Sequence, residues 1–248
     1  MKKKLNFKLL QSIFVIPVCV IMLALSGCAD SGSGGKSNDT GHTVGKFKTN
    51  NAPLTVPDGV TYSVKGPKGG DSTSDQQQFL TCITACNDNH PSSSNPQENM
   101  TCLLGCYRQL NEAPNDGAFF INLTLDNSNG TDQTVAIPAG SLFQPANQST
   151  QPMGIVKNLS LTIADHSSDT FHVPSFCLAV GNGIPDEGDG FSYSGVITTS
   201  CYQEIVQILS QKNMNAFDDK KIITVQNVIW KCAAGNFTNT ERTELNNL

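Results

Sequence analysis

Apolar positions along the chain change their spacing four times, and each regime predicts a different kind of segment. A continuous apolar run, Ile13 to Leu25, is interrupted only by Pro17. From Ala29 to about Gly70 the sequence is mostly Ser, Gly, Asn, Asp, Lys, Thr and Pro, with few large apolar residues. Such a stretch cannot bury enough surface to offset its ordering entropy, so it reads as a tether. Within it, Val60, Tyr62 and Val64 alternate, which predicts one short strand formed on docking to a partner. Phe79, Cys82, Ile83 and Cys86 then recur at helical spacing behind Ser74, which is placed to cap with Gln77. Asn87 to Pro96 is rich in turn formers, and a second helix from Gln97 to about Asn111 puts Cys102, Leu103, Cys106, Tyr107 and Leu110 on one face. Pro114 stops it.

From Gly117 the period falls to two. Phe119, Ile121, Leu123 and Leu125 alternate, Asn129-Gly130 turns the chain, and Gln133 to Ile137 returns as a strand. Leu159, Leu161 and Ile163, then Phe171, Val173 and Ser175, alternate again. Short alternating strands separated by turns predict an antiparallel sandwich. Gly181 to Gly195 reads as a long loop. It contains Asp186-Glu187-Gly188-Asp189, whose spacing is not that of an EF-hand. The end of the chain is helical: Thr198 or Thr199 starts one helix, Asp218 caps another, and Gly235 stops it. Thr238 to Asn247 reads as a frayed last turn. The expected fold class is α+β: a disulfide-stapled helical hairpin followed by a small antiparallel β-sandwich with C-terminal helices. The expected divisions are 1–27, a signal peptide; 28–72, a tether; 73–113, the hairpin; and 114–248, the sandwich with its helical cap.

The start of the chain assigns an address. Lys2, Lys3, Lys4 and Lys8 precede the apolar run, which is short of the ~20 residues a transmembrane helix needs. The run ends in Leu25-Ser26-Gly27-Cys28, which resembles the lipobox of bacterial lipoproteins. That resemblance implies cleavage before Cys28, a diacylglycerol on its sulfur and an acylated new N-terminus. Ala29 follows where an Asp would imply inner-membrane retention, so the resemblance implies transfer to the outer membrane. Of 16 basic and 21 acidic residues, four lysines and no acid leave with the signal, so the mature chain carries 12 and 21, a formal charge of −9. An acidic chain without clustered Lys and Arg is a poor nucleic-acid binder.

Seven cysteines remain after Cys19 and Cys28: Cys82, Cys86, Cys102, Cys106, Cys177, Cys201 and Cys232. In an oxidising compartment most should be paired. Cysteines at i and i+4 share one side of a helix, and facing pairs of an antiparallel hairpin keep a constant index sum. Cys82 with Cys106 and Cys86 with Cys102 satisfy that sum. A four-thiolate zinc site is the alternative, although zinc knuckles usually use a tighter spacing. The twin Cys-x3-Cys pattern resembles the stapled hairpins of mitochondrial intermembrane-space proteins. A short loop joins the two main C-terminal helices, so they should be antiparallel. This brings Cys201 near Cys232 as a third bridge and leaves Cys177 unpaired.

Three further resemblances concern function. Val135-Ala136-Ile137-Pro138-Ala139-Gly140, with Leu142-Phe143 and Gln151-Pro152-Met153, resembles small extracytoplasmic β-sandwich domains. Ser175-Phe176-Cys177-Leu178 and Val225-Gln226-Asn227-Val228-Ile229-Trp230 resemble bacterial thioester domains, which implies a bond between Cys177 and Gln226. Val225 stands where those domains commonly have Thr. The whole chain resembles the accessory Dis lipoproteins of the Dot/Icm type IVB secretion system, which implies a subunit of an outer-membrane core complex.

Enzyme signatures do not emerge. His42, His90, His166 and His172 have no partners at motif spacing, and no nucleophile elbow, zinc-protease helix or phosphate loop is present. The expectation is a non-enzymatic outer-membrane lipoprotein without cofactor or catalytic residues, partnered by other envelope or secretion-system proteins. The alternative is a ligand-binding or adhesive module using the Gly181–Gly195 loop and the helical cap.

Overall fold

A computed structural model describes residues 43–44, 47–67, 73–90, 96–109, 116–179, 182, 185 and 187–248. The expected signal peptide, Cys28 and the first part of the expected tether lie outside the described residues. In chain order the strands are β1 (Thr43–Val44), β2 (Phe47–Lys48), β3 (Val60–Lys65), β4 (Phe119–Asn127), β5 (Gln133–Ile137), β6 (Ser141–Pro145), β7 (Met153–Gly154), β8 (Leu159–Ile163), β9 (Ser168–Cys177) and β10 (Gly190–Val196). The helices are α1 (Thr73–Asn89), α2 (Pro96–Gln109), α3 (Ser200–Ser210), α4 (Asp219–Ala233) and α5 (Asn239–Asn246).

The mixed α+β class holds, but the sheet is a closed barrel and not an open sandwich. Its strands run β10-β3-β4-β9-β7-β6, and β10 closes the ring by pairing with both β3 and β6. Every pairing is antiparallel. Closure removes the exposed edges that a sandwich leaves. β5 and β8 form a separate two-stranded ribbon. The chain does turn after β4 at Asn129-Gly130, but β5 pairs with β8, so the turn links two sheets and makes no hairpin.

The boundary of the expected tether is corrected. Val60–Lys65 pairs with β4 from Val60↔Asn127 to Lys65↔Asn122, and Val60 and Val64 are buried. Their alternation is thus satisfied by the chain's own barrel. Phe47 is also fully buried, with its ring edge-on to Tyr202 at 5.3 Å. The helical hairpin is therefore an insertion between two hydrogen-bonded neighbours, β3 and β4. It docks through a run of edge-on rings: Phe79 to Tyr107 at 4.9 Å, and Tyr107 to Phe119 on β4 at 5.1 Å. Leu104 is buried in the common core, and Arg108 meets Asp219 of α4 at 2.8 Å. α1 starts at Thr73, so Ser74 lies inside its first turn and not at its cap. Pro96 opens α2, where a missing N–H costs nothing.

Two other expectations are revised. The Gly181–Gly195 stretch ends in a barrel strand, β10, with a register shift between Tyr193 and Val196 where Gly195 takes φ 95°. The last segment is an ordered helix: Leu245 is fully buried, and Thr238 with Glu241 forms a capping box. α4 keeps its expected ends. The Asp218 carboxylate accepts from the Lys221 N–H at 2.9 Å. At the other end Gly235 takes φ 77°, and the N–H groups of Asn236 and Gly235 reach the carbonyls of Lys231 and Cys232 in a Schellman closure.

Candidate functional site

The sulfur atoms fall into three places. The structure joins Cys82 to Cys106 and Cys86 to Cys102, with Cα separations of 5.7 and 5.5 Å. These are the pairs with equal index sums. Cys201 at the start of α3 is joined to Cys232 near the end of α4, Cα 5.8 Å apart. Cys177, at the end of β9, is free and fully buried. Within the hairpin the two bridges lie against each other, and Cys86 Sγ is 3.4 Å from Cys106 Sγ of the neighbouring bridge.

Cys177 sits where β9 outruns β4. The β4–β9 ladder ends at Phe119↔Ser175, and on its other side β9 continues against β7 as Met153↔Cys177. The main-chain N–H and C=O of Cys177 therefore point past the end of β4, toward α4. Gln226 meets them from the helix. The Cys177 N–H donates to Gln226 Oε1 at 2.9 Å, and Gln226 Nε2 donates to the Cys177 carbonyl at 2.8 Å. The carboxamide does the work of one residue of a missing strand. Both residues are fully buried, so each of these polar groups needs its partner.

The fold thus brings together the two residues that the thioester resemblance names, across a sequence separation of 49. What it places against the Gln226 amide is the main chain of Cys177. Burial pushes the Cys177 thiol far above its ordinary range, which keeps the sulfur protonated and a poor nucleophile.

Sequence reasoning missed the polar side chains buried near this point. Ser175 Oγ and Tyr202 Oη are buried without a hydrogen-bond partner among the described residues. Burial likewise raises the Tyr202 phenol well above its usual value. Gly154 faces Phe176 across β7 and β9, and a Cβ built on Gly154 would stand 2.3 Å from Tyr202 Oη and 2.7 Å from Leu178 Cδ2. Glycine is what lets the tyrosine approach the strand. Its only sequence signal was the dipeptide Met153-Gly154 following Gln151-Pro152.

The histidines are engaged locally. His90 pairs with Glu98 across the hairpin at 3.2 Å, both exposed. His166 lies in a turn with φ 47°. His172 Nδ1 meets Asn122 Oδ1 at 2.8 Å and packs edge-on to Phe120. His42 lies outside the described residues, as does Asp186 of the acidic loop. Asp189 accepts from Thr150 Oγ1 at 2.9 Å, which ties the loop to the barrel rim. An open cleft between α2 and the start of α4 is lined by Thr101, Asp218, Asp219, Lys220 and Ile223. No helix among the described residues is long and apolar enough to cross a membrane.

No family model, no curated protein and no solved structure matches this chain.

Proposed function

We propose that this chain is a non-enzymatic, lipid-anchored module of the cell envelope, a structural or accessory subunit of a larger assembly at the outer membrane. The anchor reading rests on Leu25-Ser26-Gly27-Cys28. Three disulfides fit an oxidising compartment. The observation that carries the assembly role is the placement of the hairpin. It is stapled twice, inserted between neighbouring barrel strands, and packs inward through α2. α1 packs on α2 and turns most of its described side chains to solvent, with Leu80 57% exposed. A twice-stapled arm, packed on the barrel on one side and open to solvent on the other, suits docking between subunits better than it suits chemistry. The whole-chain resemblance to Dis lipoproteins names the kind of assembly: the outer-membrane core of a secretion system.

A photo-crosslinking residue at Leu80 in intact envelopes tests this. The expected outcome is crosslinks to other envelope proteins and co-purification with a large complex, both lost when Cys28→Ala prevents lipidation. A chain that stays monomeric, uncrosslinked and free of palmitate label would refute the reading.

One observation favours a second reading, an adhesive module with an internal thioester. The fold brings the Gln226 carboxamide to the main chain of Cys177, next to the sulfur that the reaction would use. Attack of the Cys177 sulfur on Gln226 Cδ would break the Cδ–N bond, expel ammonia and lower the mass by about 17 Da. The assembly reading expects full mass. A deficit of that size, abolished by methylamine, would establish the adhesive reading instead.

A further inference from the structure

We propose that the turn between β4 and β5 is a self-modification site: the Gly130 nitrogen closes on the Asn129 carboxamide, ammonia leaves, and water reopens the ring as aspartate or isoaspartate. The turn holds Asn129 from both sides. Its N–H donates to Asn127 Oδ1 at 3.0 Å, and its carbonyl accepts from the His166 N–H at 3.0 Å. The attacking Gly130 N–H, by contrast, donates to no described residue. Glycine puts no Cβ in the way of ring closure. The His166 ring stands beside it, with Nε2 3.5 Å from where a Cβ on Gly130 would be. From there the imidazole takes the Gly130 proton directly or through one water.

The dipeptide alone does not single out this turn, because Asn182-Gly183 has the same composition. The fold separates the two. Asn182 Nδ2 donates to two carbonyls, those of Gln148 at 3.1 Å and Thr150 at 3.2 Å. Asn129 Nδ2 makes one such bond, to the Asp58 carbonyl at 2.7 Å. Turning the carboxamide carbon toward the next nitrogen therefore breaks one hydrogen bond at Asn129 and two at Asn182.

The chemistry balances without oxidant or metal. The Gly130 N to Asn129 Cγ bond forms, the Cγ–Nδ2 bond breaks, and the proton lost by Gly130 leaves on ammonia. Water then adds to one of the two ring carbonyls. One opening gives aspartate on the original main chain, and the other carries the side-chain carbon into the main chain as isoaspartate. Both products lose the donor to Asp58. The turn sits tightly on the segment that enters β3: Ser128 N and Oγ donate to the Gly59 carbonyl at 2.9 and 2.8 Å. A Cβ on Gly59, which takes φ 76°, would stand 2.5 Å from Asn129 Oδ1. A lengthened main chain or a new carboxylate at this contact loosens the joint where β3 starts beside the end of β4.

The test ages the full mature chain in warm neutral buffer, native and in denaturant. Peptide mapping reads the gain of about 1 Da at each site, and an isoaspartate methyltransferase labels the isomerised product. In the native chain Asn129 should convert several-fold faster than Asn182; in denaturant the two rates should converge. Gly130→Ala should slow conversion at Asn129 and leave Asn182 unchanged. That variant should fold, since its new Cβ meets nothing closer than His166 at 3.5 Å. His166→Ala should slow Asn129 in the native chain only. Should either variant fail to fold, the wild-type comparison of the two sites still decides. Native conversion at Asn129 no faster than at Asn182, or an Asn129 rate untouched by Gly130→Ala or by His166→Ala, would overturn the proposal.

Discussion

Replacing Gln226 with Leu removes a buried carboxamide and keeps most of its volume, so the result reports on polar pairing more than on cavity formation. Two hydrogen bonds disappear: Cys177 N–H to Oε1 at 2.9 Å, and Nε2 to the Cys177 carbonyl at 2.8 Å. The strand's N–H and C=O remain, fully buried, facing an aliphatic side chain. An unsatisfied buried polar group costs about 1–3 kcal/mol, so two of them predict a loss of about 2–6 kcal/mol. For a folded part of this size, each kcal/mol lowers Tm by about 2–4 °C. Urea unfolding of the oxidised chain, followed by far-ultraviolet circular dichroism, measures the loss with all three bridges intact in both states. Gln226→Glu is the companion variant, because its neutral carboxyl keeps an acceptor for the Cys177 N–H and an O–H donor for the carbonyl, whereas the ionised carboxylate only accepts. It should lie closer to wild type than Gln226→Leu at low pH, where the carboxyl is neutral, and lose stability as the buried carboxyl ionises. A Gln226→Leu variant within about 0.5 kcal/mol of wild type, the range of neutral surface substitutions, would refute the clamp.

Gly154→Ala should destabilise by about 1–3 kcal/mol through overpacking, because its Cβ would meet Tyr202 Oη and Leu178; combining it with Tyr202→Phe, which removes the hydroxyl, should recover part of the loss in the same unfolding assay. The Cys177 thiol should be inert to an aromatic disulfide reagent in the native state and react fully in denaturant, so a fast native reaction would contradict its burial. Glu241 is held down to about 2, first by the Lys231 ammonium and then by the Thr238 hydroxyl and N–H. Its folded value lies below its unfolded one, so its contribution is complete above the ordinary carboxylate range and is lost as pH falls through that range toward about 2. Protection of the α5 amides, corrected for the intrinsic pH dependence of exchange, should therefore fall across that window in wild type, and the fall should be absent in Glu241→Gln.

How much was legible in the sequence follows from the range of each interaction. Local patterns were readable because their cause is local. Period-two alternation located β4, β5, β8 and most of β9, and Asp218 and Gly235 marked the ends of α4, because caps act within one turn. The hairpin bridges were readable because two antiparallel helices with paired cysteines leave one register. The Cys201–Cys232 pair followed from a short loop between helices. The Cys177–Gln226 contact was approached through a resemblance, yet the amide's role as a stand-in strand partner is a property of the folded chain alone.

What only the tertiary structure decided depends on contacts far apart in sequence. Alternation states that a strand has one buried face, but it does not state its neighbours. The same pattern fits a sandwich and a barrel, and the choice lies in β10 pairing with both β3 and β6. For the same reason Val60–Lys65 passed as part of a tether: its hydrogen-bonding partner lies beyond the entire hairpin, in Asn122 to Asn127. The buried hydroxyls of Ser175 and Tyr202 carry no sequence mark, because Ser and Tyr look the same exposed or enclosed. The sequence by itself determined the staples and the local elements. The ring closure, the inserted hairpin and the carboxamide clamp on Cys177 were decided by which distant surfaces could be buried together.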